Sequence, residues 1–319
     1  MDSVRNIDAN DIHCAYGGEE LSRQINRVLV DSIKVINFSE DKYKEVIISD
    51  SLQEIFSNII KNIEEVNFLD YIKQAGGDIT KYLGKGGVAR ISHKIISVIV
   101  VEYGLLVIDK LGYRLCQLNN NDSDTEIGYL YNKKYWQEVN NKFIKNLLRD
   151  ILIKMGYDRF ESKTSYLMDI LLKTFWSNAD NTPLRDKNKV LINLSDCTLE
   201  IAPNGEIKKS VFRADNFITY SLPYNYDTNQ TCPNFIKYLN RVLPDKESQF
   251  VLQELIGNAF VKNINLEKIG ILYGSGSNGK SVFLKIITAL FGEHNLSQMD
   301  LKSLTTDKNA DNNRFHLMN

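Results

Sequence analysis

The chain has 319 residues, a formal net charge of −1 and 43% hydrophobic residues, which is enough apolar material for two or three domains with buried cores. The near-neutral balance excludes nucleic-acid binding through overall charge, so any DNA-contacting surface has to be local. Four cysteines, Cys14, Cys116, Cys197 and Cys232, are scattered without a C-x-x-C pair; this excludes a zinc framework and reads as a reduced, cytoplasmic chain with buried thiols.

Met1 to Asn10 is polar and acidic, unlike a signal peptide, and the apolar run Ile95 to Val101 is too short to cross a bilayer. Residues 1–80 carry helical stripes, at Leu21, Ile25, Val28 and Leu29 and again at Leu52, Ile55, Phe56, Ile59, Ile60 and Ile63, and are expected to form a helical N-terminal region of unassigned role. Gly84-Lys85-Gly86-Gly87 marks a flexible junction near which a domain boundary is placed. It lacks the G-K-[ST] close of a phosphate loop. Lys81, Lys85, Arg90, His93 and Lys94 form a basic cluster, read as a solvated helix face in preference to a phosphate-contacting patch.

From Ile95 a helix is expected, then strands at Leu105–Ile108 and Tyr113–Cys116 around a turn at Lys110–Gly112. Asn119 to Glu126 is a polar loop. Its alternating Asp122, Asp124 and Glu126 do not make an EF-hand, because Ile127 stands where glycine is required. Gly128–Asn132 and Tyr135-Trp136 predict a strand and turn, followed by helices over Asn141–Met155 and Ser165–Trp176. Trp136 and Trp176 sit in apolar company, which favours core packing over base stacking. Lys189–Asn193, Thr198–Ile201 and Glu206-Ile207 around Asn204-Gly205 predict a β-meander. Beyond a linker-like stretch from Pro223 to Pro233, two helical stripes follow: Phe235, Leu239, Val242, Leu243 and then Phe250, Leu252, Leu255, Ile256, Phe260. These helices are expected to form a lid or collar on an ATPase core.

Gly274-Ser275-Gly276-Ser277-Asn278-Gly279-Lys280-Ser281 fills the G-x-x-x-x-G-K-[ST] pattern of a phosphate-binding loop. In that pattern glycines bring backbone N–H groups to phosphate oxygens, the lysine (Lys280) reaches the β- and γ-phosphates, and the last hydroxyl (Ser281) holds Mg²⁺. Chance alone produces such a match in about one chain of this length per hundred. Context strengthens it: Ile269–Tyr273 reads as a buried parallel strand, and Val282, Phe283, Ile286, Ile287 and Leu290 recur at helical spacing up to Gly292. A helix N-terminus behind the loop would add its dipole to the anion site.

Taken in order, these segments resemble the C-terminal part of the primase–helicases of poxviruses, phages and plasmids, whose motor is a superfamily 3 helicase. The resemblance runs through Tyr129–Asn132 with Tyr135-Trp136, Ile192–Leu194 to Ile201 and Asn204-Gly205, then Tyr220–Tyr224, Phe235–Pro244 and Leu252–Gly257. It ends in Leu266–Lys268 through Ser281. It covers roughly residues 90–319. The fold it implies combines α/β and α+β parts: a helical and β-meander domain followed by the start of a P-loop (AAA+-like) ATPase domain. Its organisation would be 1–80 helical region, 81–230 pre-helicase domain, and 231–319 pre-motor helices with the P-loop strand, loop and helix.

The resemblance implies an ATP-hydrolysing DNA helicase acting in replication as a homo-oligomeric ring, expected to be a hexamer, beside a primase module and without a membrane. ATP and Mg²⁺ are the implied cofactors. A Walker B acid and a neighbour's arginine finger would complete the site. Asp300, Asp307 and Asp311 are not promoted to Walker B, since no apolar strand precedes them. The chain is expected to be a C-terminally truncated front portion, because it ends at Asn319 soon after the loop, and hydrolysis by it alone is not expected. Two other readings stand beside this one: a catalytically dead scaffold or assembly module retaining a P-loop, and a P-loop ATPase that is not a helicase.

Overall fold

A computed structural model describes residues 51–118, 127–184, 186, 189–202, 204–261, 270–274, 276 and 278–297. The expected stripe at Leu21–Leu29, the loop Asn119–Glu126, Leu266–Ile269, Ser275, Ser277 and the stretch with Asp300, Asp307 and Asp311 lie outside the described residues. The described residues fall into two compact units, one within Ile48–Asp186 and Val211–Tyr220 and the other within Lys187–Ser210 and Ser221–Asn319. The expected breaks near 80 and 230 do not coincide with that division.

In the unit built on Ile48–Asp186, α1 (Leu52–Lys61) starts at a capping box. The Ser51 N–H donates to the Glu54 carboxylate at 2.7 Å and the Glu54 N–H to Ser51 Oγ at 3.3 Å, satisfying two backbone donors that the helix leaves free. Asn67 caps α2 (Phe68–Gln74) in the same way through the Leu69 and Asp70 N–H groups. The long α3 (His93–Lys110) is buried on several faces, through Ile96, Ile99, Val100, Val101, Val107 and Ile108. Gly104 lets Ile151 approach: a Cβ there would lie 3.0 Å from Ile151 Cδ1. The helix closes with the Tyr113 N–H on the Ile108 carbonyl and the Gly112 N–H on that of Asp109, the paired bonds of a Schellman end.

Leu105–Ile108, expected as a strand, is thus the last part of α3. A four-residue apolar run has no period that separates a strand from a helix buried all round. Strand β1 (Arg114–Gln117) does follow, and pairs antiparallel with β2 (Gly128–Tyr131), which pairs with β3 (Trp136–Val139). Helices α4 (Asn141–Lys154) and α5 (Ser165–Asn178) complete the unit. Ile55 and Ile59 of α1 share one core with Ile99 and Val100 of α3, Leu147 and Ile151 of α4, and Leu171 and Phe175 of α5. Each such side chain contributes about 1.5–3 kcal/mol by leaving water. Leu52–Gln74 therefore belongs with the helices that follow it, not to a separate module. The basic cluster is also placed differently from a helix face. Lys81 and Lys85 lie on short 3₁₀ turns (Ile79–Tyr82 and Lys85–Gly87), Arg90 follows an isolated bridge between Leu83 and Ala89, and only His93 and Lys94 begin α3.

In the other unit, β4 (Val190–Asn193), β5 (Thr198–Ile201) and β6 (Ile207–Ser210) form the expected meander. Asn204 Oδ1 accepts the Glu206 N–H in its second turn. Ser221–Tyr226 then runs back along the first turn: the Leu222 N–H donates to the Asn193 carbonyl and the Ser195 N–H to that of Tyr224. Three helices follow, α6 (Pro233–Val242), α7 (Lys246–Asn258) and α8 (Lys280–Phe291). Among the described residues, helices and two small antiparallel sheets form an α+β arrangement, the part of the expected fold class that is observed.

The expected buried strand at Ile269–Tyr273 is not observed where it is described. Gly270–Tyr273 has no regular secondary structure, with Ile271 82% and Tyr273 95% exposed. A strand exists only by sharing its N–H and C=O groups with a neighbour, and among the described residues no strand pairs with this one. No helix among the described residues is long and apolar enough to cross a membrane.

Candidate functional site

The Gly274–Ser281 segment turns directly into α8, whose N-cap is Gly279. Each described glycine of the pattern has a structural reason to be glycine. Gly276 and Gly279 have φ of 103° and 90°, left-handed conformations that side chains with a Cβ rarely adopt. Gly274 is kept bare by crowding: a Cβ there would fall 1.6 Å from Asn278 Nδ2 and 3.1 Å from Lys280 Nζ. The loop therefore brings Gly274, Asn278, Gly279 and Lys280 together at the first turn of α8. Ser281 is exposed on that turn. Ser275 and Ser277 lie outside the described residues.

Lys280 folds back into the loop. Its ammonium donates to the Gly274 carbonyl at 3.0 Å and to Asn278 Oδ1 at 2.7 Å. The helix behind it ends at Gly292, whose N–H donates to the Thr288 carbonyl at 2.8 Å. At the N-terminus of any helix the first N–H groups have no intrahelical acceptor and carry the positive end of the dipole. An ammonium, a left-handed glycine turn and a helix start facing one another form an arrangement suited to an anion.

Tyr238, which no sequence motif marks, buttresses this loop. The Tyr238 hydroxyl of α6 donates to the Gly279 carbonyl at 2.8 Å, and burial pushes its pKa up to about 12. Tyr238 lies one residue from Leu239 on the stripe that also holds Phe235 and Val242. The aromatic stacking of Phe260 on Phe291, centroids 4.7 Å apart, and the closeness of Leu255 to Gly270 add contacts from the chain segment after α6. These contacts set Tyr238 of α6 against Gly279 and Leu255 of α7 beside Gly270.

Elsewhere, a cleft of about 730 Å³ in the Ile48–Asp186 unit is lined, among the described residues, by Glu102, Asp109 and Asp180 with the cation Arg114. Arg114 pairs with Asp109 at 3.5 Å and with Asp215 at 3.1 Å. Among the described lining residues carboxylates outnumber the guanidinium, a balance that repels phosphate. Trp136 is 1% exposed, packs on Tyr131 and Phe217, and donates its indole N–H to the Ala214 carbonyl at 2.8 Å. Core packing, not base stacking, accounts for it. Burial raises the Cys116 and Cys197 thiols to about 11, as inert interior thiols require. Among the described residues no group of His, Cys, Asp and Glu is arranged to hold a metal.

A family model described as D5 N terminal like matches residues 112–244. This segment is a D5 N-terminal-like domain. Such a domain precedes the helicase in phage and poxvirus primase–helicase proteins, and the likeness covers residues 112–244 of this chain. No curated protein matches the chain. The D5 N-terminal-like domain takes in both small sheets and α6, including Trp136 and Tyr238. It contains the segments upstream of Leu252 that carried the resemblance and stops short of Gly274. Its last helix supplies the hydroxyl that holds Gly279.

Proposed function

We propose that this chain carries the nucleotide-binding loop of an ATP-driven DNA helicase of superfamily 3, primase–helicase type, working in replication. Gly274–Ser281 receives the phosphates of ATP, Lys280 takes the β- and γ-phosphate charge, and the exposed Ser281 hydroxyl is the group that would hold Mg²⁺. The working form is a homo-oligomeric ring on DNA, allied with a primase module. The observation that carries this reading is the convergence at the start of α8: two left-handed glycines, a third kept bare by crowding, and a lysine folded over them. The D5 N-terminal-like domain immediately upstream supports the replication context.

The coil conformation and exposure of Gly270–Tyr273 favour a second reading, a scaffold or assembly module that acts by contacts and does not hydrolyse ATP. One experiment separates the two. Lys280→Ala is introduced into the native gene, and replication of the DNA that carries the gene is measured. A motor loses replication with its lysine, whereas a scaffold keeps it, provided that the variant protein accumulates normally.

A further inference from the structure

Lys280 has three donor protons and no acceptor, and two partners in the loop already engage it. One is the Gly274 carbonyl and the other is the side-chain oxygen of Asn278. The same Asn278 amide lies against Gly274, where its Nδ2 takes the place a Cβ would fill. Asn278 thus has two roles at once: its oxygen holds the ammonium, and its nitrogen covers the first glycine of the loop. The G-x-x-x-x-G-K-[ST] pattern leaves this position free, so nothing in the motif demands an amide there.

We propose that Asn278 is a positioning residue that latches Lys280 onto the loop when no nucleotide is bound. On the phosphate-loop reading above, a nucleoside triphosphate has to move the Asn278 amide off Gly274 and take over the ammonium. The latch keeps the loop folded and its charge matched, at the expense of affinity for the ligand. A hydrogen bond to a charged group shifts an equilibrium by about tenfold or more, so releasing it strengthens nucleotide binding by about that factor. A carboxylate at the same place acts in the opposite direction, holding the ammonium harder and repelling phosphate.

The test titrates the full chain with ATPγS in the presence of Mg²⁺ by calorimetry, comparing wild type with Asn278→Ala, Asn278→Asp and Lys280→Ala. In parallel, the nucleotide-free proteins are labelled with an amine-reactive ester and Lys280 modification is followed by mass spectrometry. The latch predicts binding about tenfold tighter and faster Lys280 labelling in Asn278→Ala, and weaker binding with slower labelling in Asn278→Asp. Unchanged or weaker binding by Asn278→Ala, or labelling indifferent to residue 278, overturns the latch. If Lys280→Ala still abolishes binding in that case, the phosphate-loop reading survives. If no variant binds, or if Lys280→Ala binds like wild type, that reading falls and the latch falls with it.

Discussion

Replacing Trp136 tests whether that ring is structural. Trp136 is buried on β3 with its ring centroid 5.5 Å from Tyr131 and 5.7 Å from Phe217, and its indole N–H reaches the Ala214 carbonyl. Trp136→Phe keeps an aromatic ring but deletes that donor, costing about 1 kcal/mol for the bond. The lost ring volume adds about another 1 kcal/mol through the cavity that remains. Trp136→Ala also forfeits the edge contacts with Tyr131 and Phe217, which raises the loss to about 4–6 kcal/mol. Urea unfolding followed by circular dichroism reads both variants, and a filter-binding assay with single-stranded DNA reads any effect on nucleic acid. The account expects a graded loss of stability, Phe milder than Ala, with the DNA affinity of the Phe variant unchanged. A Phe variant of full stability that loses DNA binding would refute the packing assignment and restore base stacking.

Thiol chemistry gives a second outcome. Cys116 and Cys197 should resist maleimide in the native protein and react only on unfolding, while the half-buried Cys232 labels before either of them. The Cys116 thiol is raised from 9.0 to about 11, chiefly by burial. Its contribution is therefore fully present below the unfolded value and is lost as pH climbs from about 9 to about 11, where the unfolded chain gains the thiolate. Melting temperature should fall across that window, and a Cys116→Ala variant should show a shallower fall. In the meander, Thr198 donates from its hydroxyl to the buried Asn193 Oδ1 at 2.6 Å. Thr198→Val removes that donor and should cost about 1–3 kcal/mol in urea unfolding; no change would show that the bond contributes nothing.

Much of this architecture is legible in the residues alone where local chemistry decides it. Ser51 and Glu54 announce the start of α1 through their spacing, and Asn204-Gly205 announces the last meander turn. Gly274–Ser281 declares itself because each of its glycines answers a backbone or packing demand at one short turn. Legibility fails where tertiary surroundings decide. Leu105–Ile108 reads as a strand because α3 is apolar on several faces and shows no helical stripe. Ile269–Tyr273 reads as a buried strand because Ile269, Ile271 and Leu272 are apolar, yet pairing needs a neighbour and no described strand provides one. The flexible appearance of Gly84–Gly87 suggested a boundary, but Ile55 and Ile59 pack with helices on its far side. For a related reason Tyr238 leaves no signal in the sequence, and Asn278, although it stands in the loop motif, does not announce its bond to Lys280. A hydroxyl or an amide has no periodicity, and its partner, the Gly279 carbonyl or the Lys280 ammonium, is set by the folded loop.

The central claim is that Gly274–Ser281 binds the phosphates of a nucleotide through Lys280. The direct measurement is a titration of the purified chain with Mg²⁺ and ATP, repeated without Mg²⁺ and with Lys280→Ala. Binding that requires Mg²⁺ and disappears in the alanine variant is expected. Binding that survives Lys280→Ala unchanged would contradict the claim.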